Sequence, residues 1–229
     1  DKKTNELTEG FKEKGFLPEA FINLLAVLGW NDGTEQELFS MEELVDKFSV
    51  ERVHKAGAKF DFEKAKWFNQ EWIKRSEATR LLPLVKEIFI ENGIQISDEN
   101  YLLKVIDLVK DRCILLPDFL TQGSYFFQTP AAYDEASVKT KWDEGKKTYF
   151  EALAVEFKMI SHFLLVNIEE TFKKLAVEKN IKVGELQMIF RVMLVGSKTG
   201  PGVFQISETI GKEETVHRIE KALLAFQNL

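Results

Sequence analysis

Apolar residues recur at three- and four-residue spacing through almost every long segment of the chain. Strict alternation bounded by turns is nearly missing, so the pattern predicts an all-α, mainly helical fold. Pro18 at a first helical position opens PEAFINLLAVLGW, in which Phe21, Leu24, Leu25 and Leu28 share one face before Asn31, Asp32 and Gly33 stop it. Ser40 and Glu43 have the spacing of a capping box for the next helix. Asp61 is the expected N-cap of DFEKAKWFNQEWIKR, whose Phe62, Trp67 and Trp72 alternate with lysines and arginines. From Ser76 the pattern predicts shorter amphipathic helices, one closed by Asn92-Gly93 and one opened by Ser97 and ending near Arg112, then a turn at Leu116-Pro117. TQGSYFFQTPAAYDEAS lacks helical periodicity and sets an internal boundary near residue 132. Beyond it, helices are expected over 139–157, 162–178 and 185–195, and from Lys212 onward after Gly211. No sequence repeat of useful strength emerges.

Composition adds limits to this picture. With 229 residues, 45% of them hydrophobic, the chain can build a proper core, and five prolines, 13 glycines and no biased tract argue against disorder. No apolar run has the length needed to cross a bilayer, and the charged N-terminal DKKTNELTEG cannot be the apolar part of a signal peptide. The single cysteine, Cys113, excludes an intramolecular disulfide framework and a cysteine-based zinc site, so a reducing, cytoplasmic setting is expected. The net charge of −6 opposes any whole-molecule attraction to phosphate. Nucleic-acid binding would therefore need a local face. One is available over 51–80, where Arg52, Lys55, Lys59, Lys64, Lys66, Lys74, Arg75 and Arg80 outnumber Glu51, Asp61, Glu63, Glu71 and Glu77.

Candidate chemistry is sparse. His54, His162 and His217 are widely separated and fit no metal-ligand spacing, and the carboxylates sit on charged helix faces, so neither a metal site nor a catalytic residue is expected. Arg112 precedes Cys113 and could lower a thiol pKa, but without a histidine motif a half-buried structural cysteine is the expectation. The segment VGSKTGPGVF invites comparison with a phosphate loop; its spacing is wrong, and a helix rather than a buried strand precedes it. It is expected instead to form a turn between two helices, with Pro201 starting the second and leaving backbone and small side chains open to a flat base.

GFLPEAFINLLAVLGW (15–30) and FSVERVHKAGAKFDFEKAKWFNQEWI (48–73) resemble the stem-contact region of bacterial glutamyl-tRNA synthetases in residue type and spacing. The run from Arg191 to Leu194, then Gly196, Pro201-Gly202 and GKEETVHRIEKAL, is similar to that family's closing segment, so the resemblance covers essentially the whole chain. It implies a stem-contact helical domain over 1–76 and a two-part helical anticodon-binding region over 77–132 and 133–229. The family's nucleotide-binding catalytic domain, with its His-Ile-Gly-His-like and Lys-Leu-Ser-Lys-like signatures, has no counterpart here. Catalysis, ATP and its magnesium would belong to that missing N-terminal domain, with no cofactor in this part.

The resemblance further implies tRNA(Glu) as partner, a monomer, and stem contacts from Lys64, Lys66, Lys74 and Arg75. It assigns the third anticodon base to Arg112, through a bidentate contact, and the remaining anticodon contacts to Arg191 and the turn Gly200, Pro201, Gly202 and Val203. Met188 and Ile189 stand where relatives often carry Gln-Pro, and Gly200 where one type carries threonine; neighbouring Gln187 is the candidate substitute. A non-enzymatic scaffold that binds another protein through Tyr125, Phe126 and Phe127 is the alternative.

Overall fold

The computed structural model describes residues 9–54 and 59–229. Lys55 and the charged residues 1–8 lie outside them. Twelve α-helices and four short 3-10 turns account for the regular structure of the described residues, and the sole bridge between extended residues there pairs Trp30 with Val53. The all-α expectation holds.

Two compact units divide the chain, 1–122 and 123–229. In the first, α1 (Pro18–Gly29) begins at its proline, α2 (Met41–Lys47) opens with the Ser40/Glu43 capping box, and α3 (Phe62–Arg75) starts where the Asp61 carboxylate accepts from the Glu63 and Lys64 amides. α4 (Ala78–Glu91) ends at Asn92 and Gly93. α5 (Glu99–Val109) is capped by Asp98 rather than Ser97, and Lys110–Arg112 continue it as a 3-10 turn. α6 (Asp118–Gly123) follows Pro117 and runs into the stretch from Thr121 that lacks helical periodicity.

Two buried asparagines hold the first unit together. Asn69 on α3 accepts from the Leu17 amide at 2.7 Å and donates to the Ile114 carbonyl, joining the start of α1 to the segment after α5. Asn23 on α1 accepts from the Phe39 amide (3.0 Å) and from the Trp72 indole (3.1 Å) while donating to the Glu37 carbonyl (2.9 Å). Both are fully buried, and their polar atoms satisfy backbone groups that burial would otherwise leave unpaired. The Asn of the Lys-x-x-Trp-x-Asn pattern thus acts inside the fold, with Phe68 and Ala65 packed beside it against Phe16 and Leu24.

In the second unit the helix expected over 139–157 is α8 (Glu144–Met159), which starts later than expected, and a short α7 (Glu135–Lys139) precedes it. The break lies at Asp143, whose carboxylate accepts from the Lys146 amide and so starts α8 afresh. α9 (Leu165–Glu178), α10 (Val183–Val195), α11 (Val203–Ile210) and α12 (Lys212–Ala225) complete it. Its core is aromatic: the Phe172 ring lies 5.5 Å from Tyr149, 5.4 Å from Phe190 and 5.2 Å from Phe204, and the Tyr149 hydroxyl donates to the Phe172 carbonyl. The unit begins upstream of the boundary near 132, because residues 124–134 are tied to α10–α12. Thr129 bonds Glu214, Lys221 donates to the Pro130 carbonyl, and the Asp134 amide donates to the Gly196 carbonyl.

Candidate nucleic-acid interface

The first candidate face is α3. Its interior holds four cationic side chains, Lys64, Lys66, Lys74 and Arg75, against two carboxylates, Glu63 and Glu71. Lys66 pairs with Glu63 at 2.9 Å, Lys74 with Glu71 at 2.7 Å, and Lys64 with Glu37 at 2.6 Å; Arg75 is exposed. These are solvent-facing pairs of small net strength. The lysines also lean over rings: Lys66 Nζ lies 5.2 Å from the Phe62 centroid and Lys64 Nζ 5.9 Å from that of Phe68. The charged heads themselves thus lie over rings and beside carboxylates while both lysines remain part-exposed, within reach of water and of a phosphate.

Arg112 ends the 3-10 turn after α5 and is exposed. The backbone around it is braced from both sides. Lys110 donates to the Ser76 carbonyl at 3.1 Å, and the Ile114 and Leu115 amides both donate to one Asp118 oxygen, at 2.8 and 2.9 Å. Cys113 is fully buried, not half-buried, and its thiol lies 3.5 Å from the Val109 carbonyl. Burial, with the Asp118 carboxylate adding, pushes that thiol up from 9.0 to about 12, so Arg112 does not activate it.

The third candidate lies on α10 and the turn after it. Gln187 and Arg191 are one helical turn apart, both half-buried. α10 ends at Gly196, whose φ of +77° is left-handed and whose amide donates to the Val192 carbonyl. A Cβ at that position would meet the Ala132 carbonyl oxygen at 2.6 Å, so glycine is needed for space as well as for conformation. The Thr199 amide donates to the Ser197 hydroxyl at 3.2 Å, and the Gly202 amide donates to the Gln205 side chain at 3.3 Å as α11 begins. Arg191 reaches the turn: its Nη1 lies 3.4 Å from the Lys198 carbonyl, and its Cδ would lie 3.8 Å from a Cβ on Gly200.

The structure therefore packs Arg191 beside the buried Gly200, with Gln187 one helical turn before Arg191 on α10. It also places there a residue that the sequence did not assign to this site, Tyr125, whose hydroxyl would lie 3.6 Å from that Gly200 Cβ. The turn is less open than its composition suggests. Gly200, Pro201 and Val203 are buried, whereas Lys198, Thr199 and Gly202 are exposed. Pro201 packs inward instead of presenting itself, which leaves exposed backbone at Gly202 and the polar edge 198–199 as the accessible part.

Among the described residues, no group of three or more His, Cys, Asp or Glu could hold an ion, and the glycine turn follows a helix and already binds its Gly202 amide internally. No described helix is long and apolar enough to cross a membrane.

Comparison with known proteins adds a second line of observation. The anticodon binding domain family matches residues 76–223, and the catalytic domain family of class I tRNA synthetases (E and Q) matches residues 1–67. The chain is 46% identical over 222 residues to the glutamate–tRNA ligase of Flavobacterium psychrophilum, covering 96% of this chain and 44% of that protein. It is 43% identical over 224 residues to the glutamate–tRNA ligase of Flavobacterium johnsoniae, covering 97% and 44%. A crystal structure of a glutamate tRNA ligase from Elizabethkingia meningosepticum, in complex with its amino acid, superposes with a TM-score of 0.90 at 37% identity, over 99% of this chain and 45% of that one. The chain thus spans less than half the length of these relatives.

Proposed function

The chain belongs to the anticodon binding domain family, and from that premise we propose that it is the tRNA-gripping part of a glutamate–tRNA ligase. Its partner is tRNA(Glu), and it works as a monomer in the cytoplasm. The whole protein would ligate glutamate to that tRNA using ATP and magnesium, and this part by itself would ligate nothing.

Residues 1–76 serve as the stem-contact domain, and 77–132 and 133–229 as the two parts of the anticodon-binding region. Lys64, Lys66, Lys74 and Arg75 on α3 face the stem phosphates, where they fix position without reading sequence. Arg112 reads the third anticodon base through its planar fork of donors. Gln187, Arg191 and the turn from Gly200 to Val203 meet the other bases. Sequence-specific recognition of RNA targets unstacked bases in loops, which a half-buried arginine beside an ordered turn suits well.

The observation that carries the proposal is the packing of Tyr125 and Arg191 around the buried Gly200, beside the exposed edge formed by Lys198, Thr199 and Gly202. The test is binding of tRNA(Glu) transcripts at low and moderate salt, with the native anticodon and with its third base changed. Native preference should fall by roughly 1–3 kcal/mol in Arg112→Ala, the worth of one good bidentate base contact. Equal binding of both transcripts by the unaltered protein would sink the proposal.

A further inference from the structure

We propose that Arg218 is a positioning residue for the turn over 196–202, setting where its accessible edge stands; this rests on the reading of that turn as an anticodon-facing element. Arg218 lies on α12 and is 1% exposed. Its Nε donates to Glu214 Oε1 at 2.7 Å and its Nη1 to the Leu194 carbonyl at 2.6 Å. Leu194 belongs to the last turn of α10, where carbonyls have no helical partner, and the arginine fills one of those vacancies directly before the chain leaves the helix at Gly196.

The same carboxylate oxygen of Glu214 accepts from the Thr129 hydroxyl at 2.7 Å, so the arginine is linked to the segment that crosses the foot of the turn. That segment touches the turn itself. The Asp134 amide donates to the Gly196 carbonyl at 2.8 Å, and the Ala132 carbonyl closes the space over Gly196. One buried guanidinium thus fixes the exit of α10 and, through Glu214, the strip packed against it. A buried ion pair is weak evidence for stability, because desolvation offsets much of the attraction; its better-attested use is to specify one arrangement among several. Arginine suits this, since its rigid fork serves a carbonyl and a carboxylate at once, which an ammonium on a flexible stem does less well.

The test pairs amide hydrogen exchange of the full chain with tRNA(Glu) binding, using native and altered anticodons. Arg218→Met keeps volume and removes the donors; Arg218→Lys keeps charge; Thr129→Val removes one link to the carboxylate with little change of shape; Ile168→Val on α9 is the control for general loss of stability. Exchange at Gly196 and Ser197 should rise about tenfold in Arg218→Met relative to the control, reporting a local opening. Anticodon preference should fall with it, and Arg218→Lys and Thr129→Val should move both readings the same way by smaller factors. If Arg218→Met does not fold, those two variants decide. Exchange no faster than in the control overturns the inference, as does faster exchange with anticodon preference intact. Absence of any anticodon preference in the unaltered protein sinks the anticodon reading alone, and exchange then decides whether Arg218 positions the turn.

Discussion

The two units join their interiors through different polar groups. In the first, buried asparagines do much of the joining: Asn23 and Asn69 tie α1, α3 and the segment around Ile114 through backbone groups, beside a cluster in which Phe11 meets Phe16, Phe21, Phe60 and Phe62. In the second, Tyr149 and Phe204 meet Phe172 edge to face and Phe190 tilts against it, and a buried guanidinium, Arg218, joins the part-exposed Glu214 to a helix terminus. Both units bury clustered rings; their polar hubs differ, being neutral amides that join α1, α3 and the segment at Ile114 in the first and a guanidinium at the end of α10 in the second. The contrast extends to the candidate contacts. α3 offers lysines already engaged in exposed pairs, which a phosphate can displace at little cost, while the turn after α10 offers geometry set in advance.

The largest effect should come from the aromatic core. Phe172 is fully buried, and Phe172→Ala should cost about 3–5 kcal/mol by transfer and cavity terms together. Urea unfolding followed by hydrogen exchange should show the loss within 123–229. A loss below about 1 kcal/mol would mean the rings do not carry that unit.

The corresponding strike on the first unit is Asn69→Ala. It leaves the Leu17 amide and the Ile114 carbonyl without their buried partner. At about 1–3 kcal/mol for an orphaned buried group, the expected cost is smaller than that of Phe172→Ala and should appear as faster exchange at Leu17. Protection unchanged at that amide would remove the hub from the comparison.

Next is a pH effect on the first unit. The Cys113 thiol is raised from 9.0 to about 12 by burial, so between those values the folded state holds a proton that the unfolded state releases. Stability from this group is present below pH 9 and is lost as pH rises toward 12, by up to about 1.4 kcal/mol per pH unit for one proton. Cys113→Ala should flatten that slope. The buried Tyr149 hydroxyl, also raised by burial, adds a similar slope in the second unit that the substitution leaves in place. An identical alkaline slope with and without the thiol would show that Cys113 is not buried as a neutral group.

How much of this could be read in the chain depended on the range of the signal. Pro18, the Ser40/Glu43 pair, Asp61 and Gly93 act within one helical turn, and they mark the element ends where expected. Ser97 and Asp98 are adjacent residues of equal capping ability, and only the bonds to Asn100 and Tyr101 select Asp98. The helix expected over 139–157 starts later, at Glu144, because the Asp143 carboxylate caps it there. At the candidate site, Gln187 and Arg191 were legible as one helical face. Tyr125 and Arg218 were not, since what makes them relevant is contact with Gly200 and with the Leu194 carbonyl, and no local pattern encodes those contacts. Pro201 misled for a related reason: turn chemistry predicts backbone conformation, not which side the ring faces.

The smallest effect on stability should be the most telling for function. Glu63 and Glu71 each hold a lysine of α3 one turn away, and the double variant Glu63→Gln, Glu71→Gln should change unfolding by no more than about 1 kcal/mol, because exposed i,i+3 pairs contribute little. Its effect on tRNA should be larger. Removing the two carboxylates frees Lys66 and Lys74 from competition and raises the local potential. Affinity at low salt should therefore rise, while preference among anticodons stays the same, since phosphate contacts position without specifying. The gain should fade as salt rises, because it arises from counterion release. A rise in affinity that survives at high salt, or a shift in anticodon preference, would place α3 among the base-reading elements and abolish the division of labour between α3 and the sites at Arg112 and the turn after α10. No change at any salt would remove α3 from the interface and leave the stem to some other face of the first unit.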